Sequence, residues 1–267
     1  MRADQLLVER GMAASRSQAV RLIAGGLRWR EAGSGAAWRV VGKNRDDIPA
    51  SAELELLDAA ESRYVSRGGL KLEGALQAAG IAAAGKLCLD VGQSTGGFTD
   101  CLLQHGARHV VGVDVGHGQL HARLREDARV TAVERVNARS LSATDFVANG
   151  PAAAWAISTF SVNSEARFDL VVGDLSFISQ TLVLPALVPL MAADADLLML
   201  VKPQFELQPG QIGKGGIVRD PALYAVVEAR LRAACDALGL VVGHWFDSPI
   251  EGGDGNREFF IHARRAA

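Results

Sequence analysis

The stretch Lys86-Leu-Cys-Leu-Asp90-Val-Gly92-Gln-Ser-Thr-Gly96-Gly97-Phe98-Thr99 constrains the fold more than any other part of the chain. An apolar run ends in Asp90, a Gly-rich turn follows, and a helix pattern starts at about Gly97. In open α/β sheets this strand–turn–helix unit lies where nucleotide-type ligands bind, over the carboxyl ends of the strands. The next strand pattern, Arg108-His-Val-Val-Gly-Val-Asp114, ends in an acid at the separation expected of a ribose-binding carboxylate. The turn itself departs from the G-x-G-x-x-G of dinucleotide folds.

The rest of the body continues the alternation of strand and helix, which predicts a parallel sheet. Strands are expected near 87–91, 109–114, 129–133, 169–173 and 196–201, then a helix from Pro221 to Leu238 opened by Asp220-Pro221. Strands near 240–247 and 257–263, joined by a turn-rich segment, read as an antiparallel hairpin. That ending belongs to S-adenosylmethionine-dependent methyltransferase sheets rather than to dehydrogenases. The predicted fold class is therefore α/β: a Rossmann-like methyltransferase sheet behind a small N-terminal α+β domain. A methyl donor has no pyrophosphate, so it needs backbone room beside its amino-acid tail and an acid at its ribose. Gly92, Gly96 and Gly97 supply room, Asp90 organises the turn and the donor's ammonium, and Asp114 accepts from the ribose hydroxyls. Ser94, Thr95 and Phe98 complete the expected S-adenosylmethionine-binding set.

A second constellation narrows the chemistry. Phe168-Asp-Leu-Val-Val-Gly-Asp174-Leu-Ser-Phe177 puts Asp174 at a strand end, without the Asn/Asp-Pro-Pro-Tyr of many amino-group methyltransferases. Leu197–Val201 leads into Lys202-Pro-Gln-Phe-Glu206, and Glu258 follows Asn256-Arg257 at the last strand. Upstream, Lys71 falls in the first turn of a helix predicted to be capped by Ser66, where the helix dipole disfavours a cation. Lys71, Asp174, Lys202 and Glu258 have the K-D-K-E order of ribose 2′-O-methyltransferases, with Lys202 the central base or orienting group. No Pro-Cys pair of the kind used in cytosine-carbon methylation is present. The Gly-rich segment 203–219 is expected to be a mobile lid over the target ribose.

The N-terminal region reads as a separate module, with a predicted division into 1–60, a linker at 61–66 and a catalytic domain at 67–267. Asp4 is the expected cap of a first helix and Ser15 of a second, followed by short strands. Residues 1–45 carry nine Arg/Lys against three Asp/Glu, a charge of +6, which leaves −8 on the remainder of a chain whose net charge is −2. That asymmetry points to a polyanion-binding module on an acidic body. The pattern Arg2-Ala-Asp4…Leu7…Gly11…Ser15-Arg16…Ala19…Ile23…Gly26 resembles the αL-type RNA-binding domain of ribosomal small-subunit protein four. The resemblance implies RNA contacts from Arg16, Arg21, Arg28 and Lys43, and Arg67, the first residue of the expected catalytic domain, is a further candidate.

Over nearly the whole chain the sequence is similar to the TlyA, or hemolysin A, family of ribosomal RNA 2′-O-methyltransferases. The motifs that carry this are Val65–Leu72, Asp90–Thr99, Gly173–Phe177 and Val201–Glu206. It implies an FtsJ-like catalytic domain and methylation of cytidine ribose in rRNA, with rRNA or a ribosomal subunit as partner. Gln93 stands where that family commonly has a small residue, and residues 148–167 exceed its usual loop.

Other classes fit less well. Cys88, Cys101 and Cys235 lack metal-ligand spacing, so no metal site is expected. The most apolar late stretch, Leu182–Val201, is broken by Pro185, Pro189, Asp194 and Asp196, which opposes a membrane span. No signal peptide opens the sequence, making the cytoplasm the default location. Two alternatives stay open: an RNA-binding assembly factor with a vestigial donor site, and a membrane-damaging protein. Intact glycines and all four K-D-K-E positions weigh against the first.

Overall fold

A computed structural model of the chain describes all residues except 14, 34, 57–62, 149–166, 253–254 and 266–267. Most of the expected insertion and the first two residues of the expected linker therefore lie outside the described residues. The chain divides into two compact units, Met1–Leu70 and Lys71–Ala267.

The first unit holds helices α1 (Ala3–Glu9) and α2 (Arg16–Ala24) and an antiparallel sheet of order β2-β1-β3, from β1 (Leu27–Arg30), β2 (Arg39–Val40) and β3 (Glu53–Leu56). Leu6, Leu7, Leu22, Leu27 and Ile48 form its core. Ser15 does cap α2, its Oγ accepting from the Gln18 N–H at 3.2 Å. Asp4 does not cap α1. It lies buried inside the first turn and receives the Arg2 guanidinium at 2.8 Å and Arg16 at 3.4 Å, which hold its carboxyl below the usual range. The charge of this unit also differs from the expectation. Residues 1–70 carry eleven Arg/Lys and nine Asp/Glu, a net of +2, because the acids just past residue 45 fold into the same body.

The second unit is a seven-stranded sheet of order β6-β5-β4-β7-β8-β10-β9. Its strands are β4 (Leu87–Val91), β5 (His109–Asp114), β6 (Val130–Glu134), β7 (Phe168–Asp174), β8 (Met191–Val201), β9 (Leu240–Asp247) and β10 (Phe259–Arg265). The first five in that order run parallel, and β10 and β9 close the sheet antiparallel. All five residues of β4 are buried, the signature of a central strand covered on both faces. The chain proceeds outward from β4 through β5 and β6, then returns to the other side through β7 and β8. The reversal between β4 and β7 opens the crevice where ligands bind in such sheets. Helices α3 (Gly68–Ala79), α4 (Gly97–Gln104) and α5 (Ala222–Asp236) lie along the sequence between strands. Asp220 assists the start of α5, accepting from the Ala222 N–H at 2.9 Å. β8 starts at Met191 rather than near 196: Met191 pairs with Phe168 across a register shift, so the alanine- and acid-rich start joins the sheet despite weak β propensity.

Candidate active site

A cavity of about 560 Å³ opens at the carboxyl ends of β4, β5, β6 and β7. Of the expected donor-binding residues, Gly92, Ser94 and Asp114 line it, joined by Asp174. Gly92 has φ +85°, and a β-carbon there would sit 2.6 Å from the Asp174 carbonyl oxygen, so only glycine lets the ends of β4 and β7 approach this closely. Ser94 takes a left-handed backbone, φ +48°, with its N–H donating to Asp114 Oδ2 at 2.7 Å. Asp114 Oδ1 accepts from the Gly116 N–H at 2.7 Å. Two backbone donors thus fix this carboxylate at the cavity wall, with lone pairs left for ribose hydroxyls. Gln119 and Asn137 also line the cavity and were not anticipated; nothing in their spacing marks them.

Four other expected donor contacts, Thr95, Gly96, Gly97 and Phe98, do not line the cavity. Phe98 is buried and stacks on Phe260, with ring centroids 6.3 Å apart. Gly96 has φ +93°, a backbone that favours glycine, and a β-carbon there would point at the side-chain ends of Leu124 at 2.4 Å and Leu120 at 2.7 Å. Gly97 is the buried first residue of α4. Thr95 is exposed, and its carbonyl accepts from the His121 N–H at 3.2 Å.

Asp90 is fully buried behind the turn. Its Oδ2 accepts from the Thr99 hydroxyl at 2.7 Å, while Oδ1 has no hydrogen-bond partner. Burial pushes this carboxyl up to about 7; the Thr99 hydroxyl and backbone N–H oppose the shift, and the Asp174 and Asp114 charges add to it. A buried oxygen without a donor is costly, and it fits a cationic group supplied by a ligand.

The structure gathers Lys71, Asp174, Lys202 and Glu258. Lys71 Nζ forms an ion pair with Glu258 Oε2, and Lys202 Nζ with Asp174 Oδ1. Helix α3 begins at Gly68, so Lys71 does lie in its first turn, and Glu258 offsets the unfavourable dipole there. Burial pushes the Glu258 carboxyl up, opposed by the nearby charges of Lys71 and Lys202. Lys202 Nζ also donates to Ser176 Oγ at 3.0 Å. An ammonium has three donors; Asp174 and Ser176 take two and leave one.

Phe177 was missed at the sequence level. It is 90% exposed, has φ +64°, lines the cavity mouth and packs on Phe205 with ring centroids 4.9 Å apart. A bulky side chain held in a left-handed backbone and turned to solvent is uncommon. The segment expected to form a lid carries two short turns, Pro209–Gln211 and Lys214–Gly216. Asn256 tethers it, accepting from the Val218 N–H and donating to the Gly216 carbonyl, both at 3.0 Å, two residues before Glu258.

In the N-terminal unit the expected RNA contacts separate. Arg16 is mostly exposed despite its Asp4 contact, and Lys43 is exposed. Arg28 is committed to its cross-strand partner: its Nε and a terminal nitrogen reach Glu55 at 2.9 Å, and it lies over Trp38. Its sequence position gave no warning, because Glu55 is 27 residues away. Arg67, in the turn before α3, is partly buried. The side chain of Arg21 lies outside the described residues. Arg45, counted in the charge but not singled out, is exposed.

Comparison with known proteins matches residues 64–265 to the family model of FtsJ-like methyltransferases. The 16S/23S rRNA (cytidine-2′-O)-methyltransferase TlyA of Mycobacterium tuberculosis is 44% identical over 98% of this chain and 89% of its own length. Hemolysin A of Brachyspira hyodysenteriae is 35% identical over 98% of this chain and 99% of its own. A solved hemolysin candidate from Streptococcus thermophilus superposes with a TM-score of 0.71 at 37% identity, covering 100% of this chain and 88% of that one.

Proposed function

The chain belongs to the FtsJ-like methyltransferases and, within them, to the TlyA family; from that premise we propose that it transfers a methyl group from S-adenosylmethionine to the ribose 2′-hydroxyl of a cytidine in ribosomal RNA. The observation that carries the reading is the joining of Lys71–Glu258 and Lys202–Asp174 beside a cavity walled by Asp114 and Asp174. The cavity suits the donor: it has the size of a small-molecule site, an acid placed for a ribose, and nearby a buried Asp90 oxygen awaiting a cation. When bound, the donor supplies an electrophilic methyl on a cationic sulfur.

The chain's own residues handle the hydroxyl. A ribose hydroxyl is a weak nucleophile whose proton has to leave as its oxygen attacks. The remaining N–H of Lys202 can hold that oxygen, with Asp174 and Ser176 fixing the ammonium. Glu258, held by Lys71, closes the group and keeps its two cations and two anions balanced. Alignment of oxygen, methyl and sulfur contributes much of the acceleration in such a site. Phe177 offers a ring face for the target base, as in single-strand recognition.

Two expected outcomes follow from these placements. Donor affinity should fall as pH is lowered through about 7, because Asp90 takes up a proton and ceases to attract the donor's ammonium. Calorimetric titration between pH 8 and pH 6 checks this, and the loss should approach about tenfold. Phe177→Ala should cut kcat/KM for RNA about tenfold while donor affinity stays unchanged. The direct test of the activity is transfer of labelled methyl from the donor to rRNA in ribosomal subunits. A folded protein that binds rRNA and transfers no label would favour the assembly-factor alternative. Among the described residues no helix is long and apolar enough to cross a membrane, so no helical span supports the hemolytic one.

A further inference from the structure

We propose that Gln93 is a positioning residue for the amino-acid end of the methyl donor, orienting the Thr99 hydroxyl so that Asp90 is held through one oxygen and presents the other. The inference rests on reading the cavity as an S-adenosylmethionine site. Gln93 is buried, and its Nε2 donates to Thr99 Oγ1 at 2.9 Å. Thr99 Oγ1 in turn donates to Asp90 Oδ2 at 2.7 Å, and Asp90 Oδ1 is buried without a partner. A threonine hydroxyl has a single proton. An ionised Asp90 is acceptor-only, so that proton has to go to Asp90, and Gln93 has to present its NH₂ group to the hydroxyl. The orientation of one amide is thus tied to the charge on Asp90. The carboxylates that oppose this charge, Asp174 and Asp114, sit at the ends of the strands flanking β4.

The sequence makes room for this chain of bonds at an unusual place. Gly112 lies inside β5, paired with Asp90, where glycine weakens a strand. A β-carbon at 112 would fall 1.9 Å from both the amide carbon and Nε2 of Gln93. The glutamine amide fills the volume that the missing side chain leaves, so positions 93 and 112 are one coupled choice.

Gln93→Met keeps the volume and removes the donor; Thr99→Val removes the hydroxyl. Calorimetry should compare the wild type, each variant and the double variant, using S-adenosylmethionine and 5′-methylthioadenosine, which lacks the amino-acid tail. Each single variant should bind S-adenosylmethionine about tenfold more weakly, and the double variant no worse than the weaker single. Binding of 5′-methylthioadenosine should be unchanged. In Gln93→Met the pH midpoint of S-adenosylmethionine affinity should move upward, because Asp90 loses its oriented donor. If Gln93→Met does not fold, Gln93→Ala combined with Gly112→Ala refills the space from the other strand and reads the same difference. Equal weakening of both ligands, or of neither, would overturn the inference. A wild type that binds neither ligand would instead overturn the cavity reading, and this inference with it.

Discussion

Lys202→Ala should lower the rate of methyl transfer to rRNA about a thousandfold and leave S-adenosylmethionine affinity within about twofold. Lys202 does not line the donor cavity; it stands beside it, paired with Asp174 and bonded to Ser176. Its loss removes the group facing the ribose oxygen while the donor's walls stay in place. The same change leaves Asp174 without its cation near the cavity, so Asp174→Asn in the Lys202→Ala background should cost little more than Lys202→Ala alone. That is the behaviour of residues acting as a unit. Single-turnover kinetics, with donor binding measured separately by calorimetry, give both numbers. A large loss of donor affinity would place Lys202 in the wrong half of the site.

The second large effect concerns docking. Replacing Arg16, Lys43 and Arg45 together with glutamine should weaken rRNA binding by well over tenfold at low salt and leave donor binding intact. These are exposed cations, whereas Arg28 and Arg30 are held by Glu55 and Glu53 across the sheet. Each lost phosphate contact lowers the slope of log affinity against log salt by about 0.7 to 0.9. The triple variant should therefore lose about two units of slope. Arg28→Gln should leave the slope unchanged and lower thermal stability instead. An unchanged slope in the triple variant would move the docking surface away from these residues.

What the sequence could reveal followed the range of the interactions involved. The strand–turn–helix unit at Asp90–Thr99 was legible because its glycines and apolar run are local, and the parallel order followed from periodicity. The K-D-K-E residues were legible because each sits at a strand end or a helix start, which topology brings to one edge of the sheet. Side-chain commitments made across the fold were not. Asp4 resembles a cap until Arg2 and Arg16 close on it, and Arg28 looks available until β3 places Glu55 opposite. The +6 of residues 1–45 stopped short of the acids that share the same unit. Gly96 and Phe98 looked like ligand contacts because the turn is where ligands bind; their neighbours are leucines and another phenylalanine. Phe177 carried no periodic signal, and only its exposure and its left-handed backbone single it out.

The central claim is that these four charged residues direct a methyl group to a ribose oxygen rather than to a base. Mass spectrometry of nucleosides from rRNA incubated with the protein and isotope-labelled S-adenosylmethionine tests it most directly. The prediction is labelled 2′-O-methylcytidine, absent when Lys202→Ala replaces the wild type. Label on the base of any nucleoside, with the ribose unmodified, would contradict it.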